Sequence, residues 1–213
     1  MMKKILLTIA ALAVVAMAIT AENDKQIIRI RSYQAGTYRE ARIALDESKF
    51  YKGRNKVQGV VLHHTACKTI EKSLCVLAAA GNPQKSCHVV IDCNGMRYIL
   101  ADPERITKHA GYSYMNGREK VSEFTIGIEF QSVDTHVQPL TDEQIESAID
   151  YLLPIIKKYR IPLNNIVTHE QVRTAWLKRY PDRAKKEDVK PKVDISQADY
   201  QRFMAALKKR LSR

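Results

Sequence analysis

No apolar run in this 213-residue chain reaches the roughly 20 residues that a bilayer-crossing helix needs. The longest, Ile5 to Ile19, is short for that purpose. Internal repeats and low-complexity tracts are missing too, which excludes solenoid and fibrous architectures. No long stretch has the composition of a disordered chain. Acidic residues are in deficit, 23 against 35 basic, for a formal charge of +12. There are only four cysteines, Cys67, Cys75, Cys87 and Cys93. None lies near the N-terminus, which argues against a lipid-modified cysteine there. The length leaves room for one well-buried domain but not for two generous ones.

The N-terminus has its own pattern. Met1-Met2-Lys3-Lys4 is a short positive start, Ile5 to Ile19 is almost wholly apolar, and polarity returns at Glu22-Asn23-Asp24. This order reads as a secretory signal peptide over residues 1–21, with small residues suited to cleavage after Ala18 or Ala21. The competing reading is a membrane anchor, for which the run is short. The expected location is periplasmic or secreted, with no stable membrane insertion after cleavage. Loss of Lys3 and Lys4 leaves 33 basic against 23 acidic residues, or +10. Such a surface attracts polyanions. Outside the inner membrane these are anionic envelope polymers rather than nucleic acid. An even cysteine count in an exported chain permits disulfides. Cys67–Cys75 is the favoured bridge. Cys87 and Cys93 lie too far apart along one strand and its turn to join directly.

Residues 22–56 are polar and mixed, with one alternating run, Ile27-Ile28-Arg29-Ile30-Arg31, and read as an extension packed on the domain. Val60-Val61-Leu62 predicts a strand buried on both faces, ending at His63-His64. A helix follows over 70–80 and stops at Gly81-Asn82-Pro83. His88 to Asp92 and Arg97 to Leu100 read as paired strands about an Asn94-Gly95 turn with positive φ at both positions. Thr125 to Phe130 is another strand. Residues 141–160 predict a long helix that opens on a Thr141/Gln144 capping box, with Pro154 marking a kink or an early end. Asn165 to His169 reads as a last short strand, 177–192 as a basic loop, and 196–211 as a helix. Strands and helices mixed in this order predict an α/β fold, a mixed central β-sheet with helices on both faces in a single domain.

Six histidines are present, at 63, 64, 88, 109, 136 and 169. His63 and His169 each end an expected strand, where sites in α/β sheets gather. His63 and His64 point to opposite faces of a strand, so only one can join a common site. A hydrolytic zinc site needs three protein ligands and one open position. His169-Glu170-Gln171-Val172-Arg173 lacks the second histidine of the helical zinc-protease motif. The third ligand is therefore not supplied by a compact motif.

Val61-Leu62-His63-His64-Thr65-Ala66 and Ser86-Cys87-His88-Val89-Val90-Ile91-Asp92-Cys93-Asn94-Gly95 resemble the type-2 N-acetylmuramoyl-L-alanine amidases. That family includes AmpD-like amidases, phage lysozyme-amidases and peptidoglycan-recognition proteins. The resemblance continues through His109-Ala110-Gly111, Asn116-Gly117-Arg118-Glu119 and Thr125-Ile126-Gly127-Ile128-Glu129. It closes at Thr168-His169-Glu170 and Lys192-Val193-Asp194. It implies a catalytic domain over 57–213 that binds Zn2+ through His63, His169 and Asp194. The Asp stands further from the late His than in the family pattern. That implies an insertion over about 175–189 and leaves Asp182 as the alternative ligand. The resemblance makes Glu129 the catalytic carboxylate and Lys192 the cation facing an oxyanion. Phage relatives carry a Tyr where this chain has Cys87, which favours the AmpD-like route through Glu129. For the substrate side, Arg118 suits a peptide carboxylate, and His88 and His109 match positions near the cleft, with His64 beside them. His64 is also suited to supporting the sheet from its other face, and His136 to a surface loop. The expected partner is peptidoglycan or muropeptides, bound by a monomer. The runner-up is a protein that binds peptidoglycan without cutting it, as do relatives that have lost a zinc ligand.

Overall fold

The computed structural model describes residues 31–35, 38–79 and 81–212. The leader expected over 1–21 and the run from Ile27 to Ile30 lie outside them. Among the described residues no helix is long and apolar enough to cross a membrane.

In chain order the elements are β1 (Arg31–Ala35), β2 (Tyr38–Arg42), β3 (Phe50–Tyr51), β4 (Gly59–His64), α1 (Ile70–Ala78), β5 (Val89–Ile91) and β6 (Arg97–Ile99). Then come β7 (Ile106–Thr107), β8 (Tyr114–Met115), β9 (Arg118–Glu119), β10 (Thr125–Phe130) and α2 (Asp142–Tyr159). The chain continues through β11 (Ile166–Thr168), α3 (His169–Arg179), α4 (Pro181–Lys186) and α5 (Gln197–Leu211). Seven strands form one mixed sheet in the order β1-β2-β6-β5-β10-β4-β11. Strands β10, β4 and β11 run parallel to one another. The segment expected as an extension supplies β1 and β2 to one edge, β2 lying parallel to β6.

Period-2 alternation divides the sheet's two faces. On one face Val60, Leu62, Ile126, Ile128 and Phe130 are buried against Ile145, Ile149 and Leu152 of α2 and Phe203 and Leu207 of α5. Each such side chain contributes about 1.5–3 kcal/mol by leaving water. On the other face α1 packs Leu74 and Leu77 over Val90 and Tyr98, and Val172 of α3 covers Val61 with Ala110 and Phe124. Helices therefore lie on both faces, as the sequence predicts. The second face carries His63, the register partner of Glu129 on β10.

α2 runs from Asp142 through an exposed Pro154 to Tyr159, so the helix does not end early at the proline. Three local expectations need correction. The β5–β6 hairpin is present, but only Gly95 of its turn has positive φ, at 79°. Gly95 N–H donates to the Asp92 carbonyl at 2.8 Å, so Asn94 stays in ordinary φ space. All four cysteines are free. Cys67 is tied by its backbone to Gln131 and Ser132, whereas Cys75 rides on α1. Finally, His169 does not end a strand. It is the first residue of α3, and α3 and α4 replace much of the expected basic loop.

α3 begins where it does because Thr168 caps it. The Thr168 side chain accepts from Gln171 N–H, and Gln171 Oε1 accepts from Thr168 N–H at 2.9 Å. Thr168→Ala is expected to lower stability by about 1 kcal/mol, read as a reduced denaturant midpoint at unchanged slope. An unchanged midpoint would show that the cap does not hold the helix start.

Candidate active site

β11 lies parallel to β4 with Thr168 opposite Leu62. The residue after each, His169 and His63, is therefore delivered to one point on the sheet. Their Nδ1 atoms are 3.1 Å apart. Asp194 arrives from the segment between α4 and α5. Its Oδ2 lies 3.7 Å from His63 Nδ1 and 3.5 Å from His169 Nδ1. All three residues are buried, and each offers one ligand atom within 4.8 Å of the others. Asp194 Oδ1 accepts from His64 N–H at 2.7 Å and lies 3.1 Å from His64 Nδ1. Of the paired histidines only His63 joins the cluster, as strand alternation predicts, while His64 touches it through the other Asp194 oxygen. His64 supports the carboxylate instead of facing a substrate.

The donor set is suited to a cation. His169 Nε2 faces the Ala110 carbonyl at 3.0 Å, which can only accept, so Nε2 carries the ring proton. Burial, opposed by Asp194, lowers the His169 pKa to about 4, so the ring is neutral near pH 7 and its Nδ1 is a bare lone pair. Burial pushes the Asp194 carboxyl up, but the surrounding imidazoles of His169, His63 and His64 outweigh it and hold the group well below the usual carboxylate range. Its Oδ2 is buried without a hydrogen-bond partner. An anionic oxygen and a bare imidazole nitrogen converging in a buried cluster need positive charge between them. Two imidazoles and one carboxylate are the ligand types that zinc takes at catalytic sites.

Glu129 stands beside this cluster as the register partner of His63. Burial and the Asp194 charge push its carboxyl well above its usual range, while Lys192 and Lys85 pull it down. Glu129 Oε2 is buried with no protein partner. Lys192 is exposed and also acts on His169. Lys85, in the loop before β5, is a second cation felt at Glu129 that the sequence reading missed.

The other expected residues fall elsewhere. Arg118 lies over the Phe124 ring at 4.2 Å and reaches Gln58. That is the opening end of β4, and Gly59 is four strand steps, about 13 Å, from His63. His88 is fully buried, with Nδ1 accepting from Gly127 N–H and Nε2 facing the Arg105 carbonyl. Both nitrogens are spent on the protein, so it does not face a cleft. His109 is buried and directs its ring nitrogens at His63 and Thr125. Burial, then His63 and His88, hold its pKa well below the ordinary value. Asp182 is exposed on α4, outside the cluster, and His136 is exposed in a loop.

The family profile of N-acetylmuramoyl-L-alanine amidases matches residues 53–188. This chain belongs to that family. The matched segment holds His63, Glu129 and His169 and stops before Lys192 and Asp194. The chain is 25% identical over 163 residues to the N-acetylmuramoyl-L-alanine amidase AmiD of Escherichia coli (strain K12), covering 70% of this chain and 54% of that protein. It is 30% identical over 125 residues to the 1,6-anhydro-N-acetylmuramyl-L-alanine amidase AmpD of Haemophilus influenzae, covering 58% and 59%. The chain thus spans little more than half the length of these two relatives. Among solved structures, PlyL superposes with a TM-score of 0.53 at 18% identity, over 78% of this chain and 94% of that one. This likeness shows a shared fold.

Proposed function

We propose that this amidase-family chain is an exported, zinc-dependent N-acetylmuramoyl-L-alanine amidase. It hydrolyses the amide between N-acetylmuramic acid and L-alanine in peptidoglycan. The observation that carries the reading is the buried cluster of His63, His169 and Asp194 with the unpartnered Glu129 carboxylate beside it. Export rests on the sequence of residues 1–21.

His63, His169 and Asp194 would hold zinc, which would supply Lewis acidity for amide hydrolysis at neutral pH. The protein's own groups do the rest. Glu129 takes the proton of the attacking water and returns it to the leaving L-alanine amine. Lys192 places a positive charge near Glu129 and His169, where it offsets the oxyanion that develops on the carbonyl. The second reading, recognition without cleavage, is the reading for relatives that lack a ligand. Here a third donor is present in Asp194 and a carboxylate in Glu129.

The purified mature protein is expected to contain about one zinc per chain and to release peptides with free L-alanine amino termini from sacculi. Elemental analysis and mass spectrometry of the digest measure the two. Folded zinc-free protein that still cleaves would overturn the metal mechanism. Zinc-loaded protein that binds sacculi without cutting them would favour recognition.

A further inference from the structure

We propose that His109 and Thr125 are positioning residues that fix the His63 ring with its proton on Nε2, turning the Nδ1 lone pair toward the metal position. The inference rests on the metal reading above and adds the groups that orient one ligand.

The direction of each hydrogen bond is set from the far end. The Thr125 hydroxyl lies 2.7 Å from the Val121 carbonyl, which can only accept, so its single proton is spent there. His109 Nε2, 3.3 Å from Thr125 Oγ1, must then be the donor. With its proton on Nε2, His109 has a bare Nδ1. That atom is 3.1 Å from His63 Nε2, so His63 donates and keeps its proton on that side. The His63 Nδ1 that faces His169 and Asp194 is left as a lone pair. Reversing any link would point a proton at the other donors and repel a cation.

The backbone holds this arrangement still. Thr125, Gly127 and Glu129 share one face of β10. A Cβ at Gly127 would lie 2.5 Å from His109 Cγ and 2.9 Å from its Cβ, so only glycine lets the ring lie on the strand. Ser86 Oγ accepts from Lys108 N–H and Ser122 Oγ from Ala110 N–H, pinning His109 from both sides. The neighbouring Ala110 carbonyl orients His169. The tripeptide Lys108-His109-Ala110 thus sets the protonated nitrogen of both histidines. Groups that orient a ligand from behind in this way typically contribute ten- to a hundredfold to metal affinity.

The test compares Thr125→Val, which keeps the volume and removes the hydroxyl, with Thr125→Ser, which keeps the hydroxyl. Zinc affinity is read by chelator competition. Thr125→Val is expected to bind about 10–100-fold more weakly, and Thr125→Ser as the wild-type protein does. Imidazole 15N spectra of the zinc-loaded wild-type protein are expected to show His63 protonated at Nε2 and metal-bound through Nδ1. Wild-type affinity in a folded Thr125→Val protein would overturn the proposal. So would coordination through His63 Nε2, which needs no variant to fold. A wild-type chain that takes up no zinc would overturn the metal reading itself, and these spectra and affinities separate the two failures.

Discussion

Glu129→Gln is expected to lower peptide release from sacculi about a hundredfold to ten-thousandfold, the contribution typical of a positioned acid–base group. The same protein is expected to keep its zinc. Glutamine fills nearly the same volume in β10, so the sheet register with His63 is retained. What it removes is the basic oxygen. Glu129 Oε2 has no protein partner although it is buried, so its lone pairs are free for a proton that comes from outside the protein. Burial and the Asp194 charge also raise the carboxyl, which strengthens it as a base when ionised. Turnover and zinc content should be measured on one preparation. Unchanged turnover would remove Glu129 from the mechanism, whereas lost zinc would recast it as part of the metal site.

Asp194→Ala is expected to cost more zinc affinity than the ten- to hundredfold lost with an outer-shell partner. Asp194 is the one anion among the three clustered donors, and its two oxygens do different work. Oδ1 is anchored by His64, and Oδ2 turns to His63 and His169. Alanine leaves two neutral imidazoles to hold a doubly charged ion. Chelator competition measures the change. Asp182→Ala is the matched control, because Asp182 is exposed on α4 and lies outside the three-residue cluster. Full zinc affinity in Asp194→Ala with loss in Asp182→Ala would reverse the assignment.

The strands at Val60–Leu62 and Thr125–Phe130 and the α2 stripe were legible because burial forces a period on the sequence. α3 was not. Val172 and Trp176 are its only buried apolar side chains, too few to show a period of 3.6. Its one readable signal was the pairing of Thr168 with Gln171 three residues on. That omission also misplaced His169 at the end of a strand. Within the site, residue type identified groups able to bind metal or move protons, but not which way each one faces. His88 and His109 are chemically as fit for a cleft as His63. Their ring nitrogens are instead spent on Gly127, Arg105, Thr125 and His63, contacts that long-range packing decides. Gly127 reads as an ordinary interruption of a strand until His109 is seen lying on it.

Asp194 stands two residues before Ser196, the N-cap of α5. The Thr135 hydroxyl ties this junction together, donating to the Asp194 carbonyl and accepting from Ser196 N–H. Beyond it, Phe203 and Leu207 hold α5 to the sheet and to α2. A metal held at Asp194 would therefore share one free energy with the docking of this helix, each strengthening the other to the same extent. Metal at a thousand times its dissociation constant would add about 4.1 kcal/mol to the docked state. A chelator would then act as a local denaturant, loosening the carboxyl-terminal helix while the sheet that carries both histidines stays folded.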